Sequence, residues 1–265
     1  MDDNYQTYLN RVARMTLLEA YRTQIQHIQE SSKFQPLPTG GRKAVPFPGY
    51  TVITPPQEED SQNTDFYKYL QNYQEELLKL PVNNTETIVP VPPASFHLTL
   101  ADLIWDSAYR DACEKNPKFD EQLRSLFAGI FQQYQQSITP PSQPIRWQMQ
   151  GLTVMPRAIG ICLVPQDKYS YEQIINFRRT IYQNSNLLPL GIEQHYHLTA
   201  HVTLGYFGDV SPSVERDNLA SIFDNLNQQL IENAPAFLIH RAELRKFDDM
   251  TRYYREPDWP ILNFG

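Results

Sequence analysis

Two short stretches of this chain repeat one pattern: Phe96-His97-Leu98-Thr99-Leu100 and Ala200-His201-Val202-Thr203-Leu204-Gly205. Each alternates apolar residues with His or Thr, the period-two signature of a strand with one buried face. His and Thr then share a face, ~6–7 Å apart along the strand, while Leu98 and Leu100, or Val202 and Leu204, fill the other. The two histidines lie 104 positions apart, so a fold that uses both must bring distant strands together. An imidazole beside a hydroxyl suits an anionic phosphate. The hydroxyl donates to a non-bridging oxygen, and the imidazole, titrating near neutrality, gives or takes a proton. Two such pairs across a cleft supply an acid and a base together, with no metal and no cofactor needed.

Around these stretches the pattern is mixed. Residues 4–31 read as one amphipathic helix, with Tyr8, Leu9, Val12, Met15, Leu18, Tyr21, Ile25 and Ile28 on its apolar stripe. A Pro/Gly loop over 35–50 leads to a strand at Tyr50–Thr54, a helix at Phe66–Leu80 that Pro81 stops, and a strand at Thr87–Val91. Residues 106–137 read as two helices broken near Asn116-Pro117. Residues 145–155 and 158–164 read as paired strands turning at Pro156-Arg157. Further on come a helix at Tyr171–Gln183 with Ser170 as its cap, a long strand at His195–Phe207, and a helix at Ser213–Asn233. A hairpin of Phe237–Phe247 with Met250–Tyr254 follows. There is no βαβ rhythm, so the fold class is α+β rather than a doubly wound parallel sheet. No dinucleotide or phosphate-loop glycine motif and no Gly-x-Ser-x-Gly elbow occurs.

The paired His-x-Thr-x motifs resemble those of the two-histidine (2H) phosphoesterase superfamily, over roughly residues 45–255. The N-terminal helix and Pro-rich entry point to one of its uncharacterised bacterial branches. The resemblance implies a bilobal α+β domain with pseudo-two-fold symmetry over 35–265, one motif per lobe, with residues 1–34 as a helical extension packed on the body. It implies that His97 and His201 face each other in a central groove as the catalytic pair and that Thr99 and Thr203 hold the phosphate. The activity implied is hydrolysis of a cyclic phosphodiester or a short 2′–5′ type phosphodiester, on a small nucleotide or an RNA end. A non-catalytic relative that binds a nucleotide or cyclic phosphate is the alternative.

Other readings of the same residues stay open. His197-Leu198-Thr199-Ala200 also fits the motif; His201 is preferred because Val202 and Leu204 flank Thr203 and Gly205 permits close approach of a ligand or a turn. Glu193, His195, His197 and His201 share parity, and His195 with His197 would suit a zinc hydrolase. His201, however, lies four residues on, ~13 Å along an extended strand. Arg241, Arg245, Lys246, Arg252 and Arg255 give the C-terminal hairpin a local positive balance. Arg245, Lys246 and Tyr253 are therefore possible substrate contacts, with Tyr253 or Tyr254 stacking on a base; an ordinary solvated hairpin is the plain alternative. Arg178-Arg179 reads as a solvated helix face, Trp105, Trp147 and Phe177 as core, and His27 and His240 as exposed or cap-like.

Composition bounds the partners. The net charge of −7 argues against binding long nucleic acid, whose phosphates need a basic surface. No long apolar run marks a membrane span, and the polar N-terminus carries no secretory pattern. Two isolated cysteines, Cys113 and Cys162, suit a reducing cytoplasm. A cytoplasmic monomer is the expectation.

Overall fold

In the computed structural model, residues 2–80, 86–137, 143–210, 216–231 and 233–264 are described. The strands are β1 (Phe34–Pro36), β2 (Arg42–Ala44), β3 (Gly49–Ile53), β4 (Ile88–Pro90), β5 (Thr99–Trp105) and β6 (Arg146–Val154). They continue with β7 (Ala158–Pro165), β8 (His201–Phe207), β9 (Phe237–Leu238), β10 (Arg241–Asp249), β11 (Arg252–Tyr254) and β12 (Ile261–Asn263). The helices are α1 (Tyr5–Met15), α2 (Leu18–Ile25), α3 (Thr64–Leu78), α4 (Asp106–Lys115), α5 (Phe119–Ser137), α6 (Lys168–Tyr182) and α7 (Arg216–Leu230). Pro81 and Ser213, expected at the end of α3 and the start of α7, lie outside the described residues.

Two antiparallel sheets carry the fold. The first has the order β11-β10-β3-β5, with β12 also on the outer edge of β10; the second runs β4-β8-β7-β6-β9. β5, beginning at Thr99, belongs to one sheet and β8, beginning at His201, to the other. The sheets do not correspond to the halves of the chain. β4, between β3 and β5 in sequence, pairs with β8, and the C-terminal β10–β12 return to the first sheet. Among the described residues no helix is long and apolar enough to cross a membrane.

The expected single N-terminal helix is two. Leu17 is extended (φ −88°, ψ 150°), and the Thr16 hydroxyl donates to the Ala13 carbonyl. The break lets both pieces follow the second sheet: the Tyr8 hydroxyl donates to Leu163 O (2.8 Å) and the Tyr21 hydroxyl to Leu152 O (2.7 Å). Thr16 itself sits against Gly151, where an added Cβ would come within 3.0 Å of it. Residues 29–31, expected in the same helix, instead tie down by backbone bonds, Gln29 N to Pro156 O and Ser31 N to Phe207 O.

Four other expectations shift. The cap of α6 is Asp167, which accepts from Ser170 N, while the Ser170 hydroxyl accepts from Arg146 N. Phe237–Phe247 is not one strand: β9 joins the second sheet and β10 the first. The hairpin turns at Met250-Thr251, because the Asp249 carboxylate accepts from both the backbone and hydroxyl of Thr251. Arg178 is not on a solvated face; it is buried, bonded to the Leu100 carbonyl and paired with Asp2 at 2.9 Å.

Candidate active site

A cleft of about 800 Å³ is lined by residues of both sheets, and His97, Thr99, His201 and Thr203 all line it. His97 precedes its strand rather than lying in it. A short turn over Pro93–Ser95 leads into it, and Leu98 is fixed by two bonds to Thr54. His201 opens β8 directly.

The two imidazoles are held alike. His97 Nδ1 bonds to Ser95 O and His201 Nδ1 to Thr199 O, both at 2.7 Å and both two residues back. A carbonyl only accepts, so each Nδ1 carries the hydrogen, and in the neutral ring Nε2 is the free base. Burial pushes the His97 imidazole down to about 4; the charges of His201 and Arg245 act the same way, and the bond to Ser95 O opposes them. The Tyr253 ring packs against His97 at 4.2 Å between centroids.

Both motif strands then depart from alternation in the same way. In β5 the partners run Ile53–Thr99, Val52–Ala101, Thr51–Asp102, Tyr50–Ile104 and Gly49–Trp105, with irregularities at Leu100 and Leu103. Directly opposed residues share a face, so Thr99, Asp102 and Trp105 stand together. In β8, Cys162–His201, Gly160–Thr203, Ile159–Gly205 and Ala158–Tyr206 are opposed, with one irregularity at Leu204. His201, Thr203 and Tyr206 therefore share a face. Bulges of this kind re-aim side chains, and here they bring Asp102 and Tyr206 into the cleft lining beside Trp105.

The C-terminal hairpin contributes less than its charge promised. Arg245 is opposite Thr51 and so on the cleft side, but its guanidinium is 1% exposed, held by Glu243, Glu59 and the Tyr253 carbonyl. It lies beneath the floor and does not line the cleft. Lys246, one residue on, points to the opposite face and pairs with Asp120 at 2.7 Å. Of the three possible contacts only Tyr253 lines the cleft, while Tyr254, beside Lys246 in register, faces outward.

The competing histidine readings separate in space. Residues 193–200 are not a strand, so shared parity has no meaning there. His195 packs its ring edge on Trp105 (5.4 Å), and exposed His197 lies 3.9 Å from Asp3. Thr199 accepts a hydrogen bond from Arg11. Among the described residues no group of three or more His, Cys, Asp or Glu is placed to hold a metal ion. His240 is cap-like in a different sense, bonded to buried Asp60 at 3.0 Å. Gly205 serves not a ligand but the neighbouring strand, since a Cβ there would stand 2.8 Å from Val89 O. Cys162, opposite His201, is buried, and burial pushes its thiol up to about 11, so it offers no thiolate.

Among the cleft residues the sequence reading missed are Lys33, Asp102, Trp105 (placed in the core), Arg157 and Tyr206. Strict alternation hid Asp102 and Tyr206, whereas Trp105 keeps the parity of Thr99 and was simply read as core. Nothing in the local pattern marked Lys33.

Comparison with known proteins fits this geometry. The family model 2H-phosphodiest, a domain of unknown function (DUF1868), matches residues 39–158, which include His97 and Thr99. The second motif, outside those residues, lines the same cleft. Residues 39–158 are thus similar to a 2H phosphodiesterase family model. The protein is similar in fold to a conserved protein of unknown function from Agrobacterium tumefaciens str. C58. The TM-score is 0.60 at 15% identity, over 92% of this chain and 97% of that one. It also resembles Escherichia coli LigT in apo form (TM-score 0.43, 16% identity, 83% of this chain and 98% of that one). For LigT complexed with 3′-AMP the values are 0.43, 15%, 83% and 98%. No curated protein matches the chain by sequence.

Proposed function

We propose that this protein is a metal-independent phosphoesterase that hydrolyses a cyclic phosphodiester, or a short 2′–5′ type phosphodiester, on a small nucleotide or RNA end. The observation that carries the reading is the matched pair of imidazoles. Each is fixed through Nδ1 to a carbonyl two residues back, each is followed by a threonine, and all four side chains line one cleft.

His97 is the base in this scheme. Burial and the neighbouring charges of His201 and Arg245 keep it neutral, which leaves the acid role to the second imidazole. Water attacks phosphorus while its proton passes to His97 Nε2. The bond from phosphorus to the leaving oxygen breaks, and His201 Nε2–H protonates that oxygen. The Thr99 and Thr203 hydroxyls donate to the non-bridging oxygens, whose charge they stabilise. The two rings supply both proton transfers, which is why the reaction as written calls on no metal.

The test is hydrolysis of nucleoside 2′,3′-cyclic phosphates in EDTA. Each of His97→Ala and His201→Ala should lower kcat by roughly 10²–10⁴-fold, the worth of one acid–base step. Full activity in both variants removes the proposal. Binding of the nucleotide without turnover by the unaltered protein would make it a non-catalytic relative instead.

A further inference from the structure

Lys33 lies outside both motifs yet lines the cleft. Its ammonium rests on two aromatic rings, Phe47 at 4.6 Å and Tyr206 at 5.1 Å, and among the described residues no carboxylate pairs with it. A half-buried cation with no carboxylate in contact leaves a place for a ligand to supply the counter-charge. Burial lowers the ammonium to about 8, with Asp102 opposing that shift and Arg157 adding to it, so both charged groups are within electrostatic reach.

The segment bearing Lys33 is built into the wall. Ser31 N bonds to Phe207 O, Lys33 N to the Ser31 hydroxyl, Val45 N to Lys33 O, and the Phe34 ring packs on Tyr206. Gln29 N bonds to Pro156 O and the Gln29 side chain to Arg157, which brings the exposed Arg157 to the same wall. Tyr206 stands on the cleft face of β8 three positions beyond Thr203, roughly 10 Å along the strand at ~3.3 Å per residue. A cation over Tyr206 is thus displaced from the histidine pair but in the same groove.

We propose that Lys33, with Arg157 at the rim, forms a second anion subsite for a substrate phosphate other than the one being hydrolysed. This rests on the phosphoesterase reading and narrows the substrate class to a phosphodiester carrying an additional phosphate. That phosphate is either a 5′-phosphate on the same nucleotide or the internucleotide link of a short chain; the two share one chemistry, a phosphate one sugar away.

Calorimetric titration with adenosine 2′-monophosphate and with adenosine 2′,5′-bisphosphate reads the subsite without turnover. The bisphosphate should bind at least about tenfold more tightly, the worth of a charge-assisted hydrogen bond. Lys33→Met keeps the packing on Phe47 and Tyr206 and should abolish that ratio, while Lys33→Arg should keep it. Arg157→Ala, at an exposed position that folding does not depend on, should reduce the ratio about threefold. Equal affinities of the unaltered protein for the two ligands, or a ratio unchanged in Lys33→Met, overturns the subsite. Turnover then assigns the source. Adenosine 2′,3′-cyclic phosphate, its 5′-phosphorylated form and an adenylyl dinucleotide with a terminal 2′,3′-cyclic phosphate are compared, and a rise in kcat/KM for the second or the third identifies the phosphate held. A bisphosphate preference with no turnover of any of the three refutes the phosphoesterase reading and leaves the anion subsite standing.

Discussion

A half-buried imidazole held neutral is the residue-scale feature from which the chemistry grows. His97 titrates at about 4 against an ordinary value of 6.5, so the unfolded chain binds a proton that the folded one refuses. The stability this contributes is complete above 6.5 and is lost as the pH falls toward 4. Denaturant unfolding across that interval should show a shallower loss for His97→Gln than for the unaltered protein; identical slopes would mean that His97 is solvated. The same property shapes activity. With His97 as base, the acid limb of kcat/KM in the free enzyme should fall at about 4, well below the ordinary imidazole value. An acid limb near the ordinary imidazole value would reassign the base. Arg245 belongs to this scale too. Its guanidinium and the fully buried Glu243 carboxylate are 2.5 Å apart, so Arg245→Met breaks a buried pair and leaves Glu243 with Arg241 alone, at 2.7 Å. The expected cost is about 3–5 kcal/mol in chemical denaturation, and a change below ~1 kcal/mol would show that water reaches Glu243.

At the scale of elements, the strands matter more for where they break the rule than for where they keep it. Leucines at 100 and 204, each just after the motif threonine, occupy irregular positions in β5 and β8. They move the next cleft-facing side chain from two to three residues on. That step also requires close backbone approach: a Cβ on Gly160, opposite Thr203, would stand 2.5 Å from Val202 O. Gly160→Ala should therefore push β7 from β8, lowering stability by about 1–3 kcal/mol and displacing Thr203. Phosphate affinity, measured by titration, should fall with it. Unaltered stability and affinity would show that the strand pair has slack. The identity of the strands was legible from alternation and turn chemistry, as at Pro156-Arg157. Bulges were not, because they arise from how a strand meets its neighbour.

For the whole molecule, the N-terminal residues are not an appendage. Tyr8, Val12, Tyr21 and Ile25 are fully buried, two of these tyrosine hydroxyls satisfy carbonyls of the second sheet, and Asp2 pairs with buried Arg178 on α6. Deleting residues 2–28 should abolish cooperative unfolding or leave an insoluble chain, read by near-ultraviolet circular dichroism and sedimentation. A truncated protein with an unchanged midpoint would show the helices to be dispensable. The apolar stripe of this region was plain in the sequence, but the wall that its last residues make beside the cleft was not.

Local alternation and residue chemistry were enough to mark two strands as carriers of His and Thr and to make the class α+β, since both are properties of a few neighbouring residues. Contact between the strands depended on something else. β4 and β10–β12 exchange sheets, two leucines bulge, Lys33 folds back over Tyr206, and Arg245, promising by charge alone, turns under the floor to Glu243 and Glu59. Each of these is a long-range packing choice, set by which surfaces can be buried together, and no window of the chain contains both partners.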